Sequence, residues 1–285
     1  MKKLYMILAA IAAMTFTAQA DVNYGVVEVG DFDGASEFYN GSYFDMAPTN
    51  FYLAHTGAQM IYTPAELGEI AEKDVNITML SFKFINAGAF EDITRDIKLY
   101  LQETDATAFE VNEDGIKQFF EFDNLVLEET QVYEMLNFYY EDCELVLDLN
   151  NAPFALTKGK GLLVTVVFDA QDDENCTEGS DYAPFYTSGI RSQAMVYTDN
   201  WTSFVEYAIG NDFPNATATL GCGTNVELPV TRINFSYEDT PSSVEEIEAA
   251  NAQDGAYYNL MGQKFNGNDL PAGIYIHNGK KIIVK

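Results

Sequence analysis

The 285-residue chain carries 44 acidic and 15 basic side chains, a formal net charge of −29. Such a surface repels nucleic-acid phosphates and anionic membranes, and attracts calcium or basic proteins. With 47% hydrophobic residues, 20 Phe and 18 Tyr, the composition excludes disorder of the highly charged kind.

In chain order, the first predicted element is a leader, MKKLYMILAAIAAMTFTAQA (1–20). Lys2 and Lys3 precede an apolar run from Leu4 to Phe16, which is too short to span a bilayer, since spanning takes about 20 residues. Ala18-Gln19-Ala20 supplies the small residues of a cleavage site, so a signal peptide ending at Ala20 is expected. No cysteine near the cut offers a lipid anchor, and no later stretch is apolar enough to span. The mature chain is therefore expected to be exported without a transmembrane anchor.

The next elements are strands with one short helix. TPAEL (63–67) has a capping threonine, a proline at the first helical position and Glu66 for a capping box. NITMLSFKF (76–84) alternates through Ile77 and Met79, then through Phe82 and Phe84 after an irregularity expected at Leu80-Ser81. RDIKLYL (95–101) puts Ile97, Leu99 and Leu101 on one face and Lys98 and Tyr100 on the other. CELVLDL (143–149) repeats the pattern with Leu145, Leu147 and Leu149. GLLVTVVFD (161–169) is almost continuously apolar, as a strand buried on both faces must be. Period-2 patterns separated by turns predict an all-β fold: an antiparallel jelly-roll-like β-sandwich over 21–238. Its core should include Ile97, Leu99, Leu101, Leu145, Leu147, Val164 and Val166.

EDTPSS (238–243) opens a polar linker, 239–255. Before residue 256 the mature chain has 9 basic and 43 acidic side chains; residues 256–285 have 4 and 1. This basic end is a separate small β-hairpin module. Asn278-Gly279 suits a type I′ turn, whose register pairs Ile274 with Ile283 and Tyr275 with Ile282.

Residues able to do chemistry are few. There are two histidines, and His55 is expected to be structural or on the surface, since no HExxH, GxSxG or Cys/His pattern accompanies it. Two acidic stretches could hold a structural calcium ion: Asp31 and Asp33 in GDFDGASE (30–37), and Asp169, Asp172 and Asp173 in DAQDDEN (169–175). Calcium needs six to eight oxygens, and a solvated acidic loop is the plainer reading. No other cofactor is indicated. Aromatics beside amides and carboxylates suit a sugar ligand. The candidates are Trp201 with Asp199 and Asn200 in YTDNWTSFVEY (197–207), and Tyr139 and Tyr140 in NFYYED (137–142). Cys143, Cys176 and Cys222 are read as unpaired thiols, with a Cys176–Cys222 bridge between two loop-like segments as the alternative.

The C-terminal end resembles a known family. Tyr258-Asn259-Leu260-Met261-Gly262-Gln263, then Leu270-Pro271-Ala272-Gly273-Ile274-Tyr275-Ile276, then Lys280-Lys281-Ile282-Ile283-Val284-Lys285 is similar to the type A C-terminal sorting domain of the Bacteroidetes type IX secretion system. The resemblance covers the end of that domain, in a form with a shortened upstream portion. It implies a translocation signal read by export machinery, and a protein displayed on the outer-membrane surface or secreted. Where the module is inactive, the periplasm is implied. Less tightly, GAQMIYTPAELGEI (57–70), RDIKLYLQETDATAF (95–109) and ELVLDLNNAPFAL (144–156) resemble jelly-roll units of surface and adhesin-like proteins of the same bacteria. The expected function is adhesion or binding of a carbohydrate or protein ligand, without catalysis. A display protein with no small ligand is the alternative, and a secreted carboxylate-dependent glycoside hydrolase a third reading.

Overall fold

The computed structural model describes residues 22–35, 47–49, 53–85, 93–115, 117–133, 142–170, 185–199, 202–210, 222–238, 256–259, 262–266, 270–277 and 280–284. The described chain divides into two compact units, Asn23–Tyr237 and one containing the strands after residue 256.

In order, the first unit contains β1 (Val22–Val29), β2 (His55–Tyr62), α1 (Pro64–Leu67), β3 (Val75–Ile85), β4 (Ile93–Thr104) and β5 (Leu125–Tyr133). These are followed by β6 (Asp142–Asp148), β7 (Phe154–Leu156), β8 (Gly161–Ala170), β9 (Thr187–Asp199), α2 (Phe204–Gly210), β10 (Cys222–Pro229) and β11 (Thr231–Glu238). One sheet has the order β1-β11-β3-β6, with β7 also on β3; the other is β10-β9-β2-β8-β4-β5. The ladders of the second sheet are antiparallel throughout, as are those of β3 with β6, β7 and β11. The fold is an all-β sandwich.

The expected alternation forms its core. Ile97, Leu99 and Leu101 from β4, Leu145 and Leu147 from β6, and Val164 and Val166 from β8 are all buried in one cluster between the sheets. The short helix forms where expected: the Thr63 amide donates to Glu66 Oε2 (2.8 Å), and Leu67 enters the same core.

β3 departs from its expected face assignment. Ile77 pairs with Phe235 but Met79 with Asn234, so Thr78 is an extra residue in β3. A bulge turns the strand over. Ile77, Leu80, Phe82 and Phe84 consequently face the core, and Met79 faces away. The irregularity lies at Thr78 rather than at Leu80-Ser81. Cys222 also departs from expectation, starting β10 rather than sitting in a loop; Cys143 is on β6, and Cys176 lies outside the described residues.

The second unit is a four-stranded sheet, β13-β12-β14-β15, made of β12 (Tyr257–Asn259), β13 (Lys264–Phe265), β14 (Gly273–His277) and β15 (Lys280–Val284). The β14–β15 hairpin has the expected register, Ile274 opposite Ile283 and Tyr275 opposite Ile282. Two further strands join it, with Tyr258 opposite Ile276. Gly262, at φ +77°, and the Gln263 amide bonded to Asn259 Oδ1 (2.9 Å) make the β12–β13 turn. Tyr275 is buried and donates to the Pro271 carbonyl (2.8 Å), while Tyr257 stacks on His277 at 4.0 Å. Leu270 is half-buried, and Lys280 and Lys281 are exposed. Leu260, Asn278, Gly279 and Lys285 lie outside the described residues.

Candidate functional site

On β2, Ala58, Met60 and Tyr62 face the sandwich core, so His55, Gly57, Gln59 and Ile61 face outward. Strand register extends that face sideways. His55 lies opposite Asp199 of β9 and Asp169 of β8; Asp169 lies opposite Asp96 of β4, and Asp96 opposite Thr130 of β5. Directly paired residues share a face. One polar row, Asp199–His55–Asp169–Asp96–Thr130, therefore crosses five strands.

His55 Nδ1 is 2.9 Å from Asp169 Oδ1, and the two side chains are only 14% and 22% exposed. The carboxylate fixes the imidazole orientation and, in its neutral form, puts the proton on Nδ1. Two residues further along the strands, Lys98 Nζ lies 3.3 Å from Glu128 Oε1. Burial lowers the Lys98 pKa, but the Glu128 hydrogen bond and the charges of Glu128, Tyr100 and Asp169 outweigh it and raise it overall. The neighbouring Tyr100 hydroxyl is raised by burial, opposed by Lys98 and reinforced by Glu128 and Asp169. Lys98 and Tyr100 thus keep their protons at neutral pH.

Beside this row lies an aromatic patch. Tyr197 donates to the Thr202 carbonyl (3.0 Å) and to Asp199 Oδ2 (3.2 Å), and its ring stacks on Tyr207 at 4.4 Å. Phe204 of α2 lies flat against Phe122 (5.4 Å) and over the backbone of Gly57. A Cβ on Gly57 would come within 2.0 Å of the Phe204 ring, so glycine is what lets the helix sit down on the sheet. Phe109, Phe119 and Phe120 pack on the same face, held by Gln59, whose amide both donates to and accepts from the Phe120 backbone (2.8 and 2.7 Å). At the far end, Gln102, Glu110, Gln118, Phe119 and Phe120 surround a hollow of about 330 Å³.

Two candidate residues from the sequence, Asp199 and Asp169, thus come together through β2, with His55 between them. By chain position, Asp199 belongs to the candidate sugar site and Asp169 to the candidate calcium site. Trp201, Asn200, Tyr139, Tyr140, Asp172 and Asp173 lie outside the described residues. Asp31 and Asp33 have other partners: Asp31 Oδ1 accepts the Gly34 amide (2.9 Å), and Asp33 accepts from Arg232 (2.9 Å). Among the described residues, no three of His, Cys, Asp and Glu are grouped so as to hold a metal ion. Sequence reasoning missed Asp96, Lys98, Glu128 and Thr130 as site residues; the alternation of RDIKLYL, which sets Lys98 apart from the core, was the available signal.

Comparison with protein-family models, with characterised proteins and with solved structures finds no match to this chain. Among the described residues no helix is long and apolar enough to cross a membrane.

Proposed function

We propose that this is an exported, surface-displayed or secreted binding protein whose ligand is a glycan engaged on the outer face of the six-stranded sheet. The observation that carries the reading is the row of three carboxylates about His55, ending at Asp199 beside the Tyr197–Tyr207 stack. Carboxylates accept paired hydrogen bonds from sugar hydroxyls, and tyrosine faces take the C–H side of a pyranose. Export rests on the leader-like first 20 residues. Sorting rests on the basic C-terminal module, which carries Tyr258, Gly262, Gln263, Gly273, Ile274, Tyr275, Lys280 and Lys281 of the family-like pattern.

The test is a glycan array probed with the mature chain, followed by titration calorimetry on the hits. Binding that weakens about tenfold or more in Asp199→Ala and His55→Ala supports the reading; an array without hits, or hits indifferent to both changes, refutes it. Sorting is tested separately by deleting residues 256–285 in a host with a type IX system. Loss of surface display is expected, and unchanged display would remove the sorting role.

A further inference from the structure

Two strand edges of this chain match each other in sequence, one on each compact unit. β6 ends the five-stranded sheet and β15 ends the C-terminal sheet; among the described residues no strand pairs with the far side of either. Open edges present unpaired backbone groups, and proline, bulges or charges commonly blunt them. β6 has no proline, and its ladder with β3 runs from Asp142 to Asp148 without a slip. The Val146 carbonyl points out of that edge, where it meets the Gln131 side-chain amide at 3.4 Å, longer than a usual bond.

β6 does carry charge, and its sign selects a partner. Glu144, Val146 and Asp148 are exposed, while Leu145 and Leu147 alternate with them into the core. Among the described residues the Asp148 carboxylate accepts through Oδ1, from the two amides of Asn150 (2.8 and 2.7 Å). On β15, Lys281 and Ile283 are exposed on one face, and Ile282 and Val284 lie on the other. Val146 and Ile283 are large apolar residues left at the surface, 38% and 64% exposed. Set antiparallel with Val146 opposite Ile283, the two strands bring Asp148 opposite Lys281, Leu147 opposite Ile282 and Leu145 opposite Val284. Sliding β15 by two residues either way puts a charge opposite an apolar side chain, and a slip of one moves Lys281 to the core row. Two copies of β6 paired about Val146 would oppose Glu144 and Asp148, like charges that repel. β1, at the other end of the same sheet, has one acid, Glu28, which already bonds Arg232.

We propose that β15 of one copy of this chain adds as an antiparallel strand to β6 of a second copy, with Val146 against Ile283 and Asp148 against Lys281. Antiparallel is the direction of the ladders that both strands already make. The wider charge balance favours the same partner: residues 21–255 carry 9 basic and 43 acidic side chains, and residues 256–285 carry 4 and 1. Backbone pairing gives the affinity, and the alternating side chains give the register. Each copy offers one edge of each kind, so the contact is heterologous and builds rings or open chains of copies.

The experiment is sedimentation velocity on residues 21–285 at low ionic strength, from micromolar to near-millimolar concentration. The average mass should rise with concentration and fall again as salt screens the charge pairs. Asp148→Lys and Lys281→Asp should each leave a monomer, because each sets like charges against one another. An equimolar mixture of these two variants should associate again, since each supplies the edge that the other lacks. Both positions are exposed, and circular dichroism checks that each variant keeps its strands. Ile283→Lys should also leave a monomer, and it keeps the test decisive if a charge variant misfolds. A wild-type chain that is monomeric at every concentration overturns the proposal. So does association that survives Ile283→Lys or both charge substitutions, or a mixture of the two folded charge variants that stays monomeric.

Discussion

On the six-stranded sheet, Ile61, Leu163, Val167 and Met195 face away from the sandwich core yet are buried, because Phe109, Phe119 and Phe204 lie over them. On the five-stranded sheet, comparable outward positions hold Tyr24 at 77%, Val26 at 50% and Val146 at 38% exposure. Among the described residues, a small cluster of Phe32, Tyr186 and Val230 is what covers that second face, at one end, where Lys83 donates to the Phe32 carbonyl (3.0 Å). A covered face requires a strand apolar on both sides, and β8 reads LLVTVV; an open face permits alternation, and β6 reads CELVLD. The presence of a third layer is thus written in the strand beneath it more legibly than in the layer itself.

The largest effect that would break this comparison is at Phe204, which is fully buried in the covering layer. Phe204→Ala should cost about 3–5 kcal/mol in urea denaturation, as other buried Phe truncations do. Tyr24→Ala, on the open face, should cost no more than about 0.5 kcal/mol. Similar losses for the two would mean that the layers are not energetically different. In the core shared by both sheets the distinction should vanish. Leu99→Ala from one sheet and Leu147→Ala from the other should each cost roughly 2–5 kcal/mol. A loss below about 0.5 at either would show that its face is not buried.

A pH-dependent effect ties the two sheets together. Tyr62 of β2 is fully buried, and its hydroxyl lies 2.8 Å from Thr231 Oγ1 of β11, in the opposite sheet. Burial raises its pKa above the ordinary 10.0, with the Thr231 hydrogen bond opposing. The unfolded chain ionises from about pH 10, whereas the folded chain keeps the proton. Unfolding therefore releases a proton, and this contribution to stability, intact below pH 10, declines as pH rises further. The slope reaches at most about 1.4 kcal/mol per pH unit. Tyr62→Phe should flatten the alkaline limb of stability against pH; an unchanged limb would assign it to other groups.

The strands and most of the core were legible in the sequence because period-2 alternation is a local signal. The bulge at Thr78 was not, since NITMLSFKF alternates equally well with the slip placed at Leu80-Ser81. The layer over the six-stranded sheet was not legible either. Its anchor joins Gln59 to Phe120, 61 residues apart, and the segment between Phe109 and Phe122 has no regular period. The His55 row was hidden for a related reason. Asp169 and Asp199 were grouped with their chain neighbours, while the residue that unites them comes from a strand more than a hundred positions earlier.

The smallest effect concerns how the open face is held where no aromatic layer covers it. Arg232 of β11 bonds Glu28 of β1 (2.8 Å) and Asp33 (2.9 Å), lies 3.8 Å from Glu144 of β6, and places its guanidinium 3.9 Å over the Phe32 ring. Four partners on one cation look like a clamp across the sheet, but Asp33 is 86% exposed and Glu28 34%. Water competes for such pairs, and exposed ion pairs contribute about 0.2–1 kcal/mol. Asp33→Asn should therefore change stability by less than about 0.5 kcal/mol, and Glu28→Gln by no more than about 1. Both losses should shrink in 1 M salt, where screening acts over about 3 Å. A salt-insensitive loss of 2 kcal/mol or more in Glu28→Gln would mean that the open face is held by a desolvated network, and its contrast with the covered face would then be one of chemistry rather than of exposure.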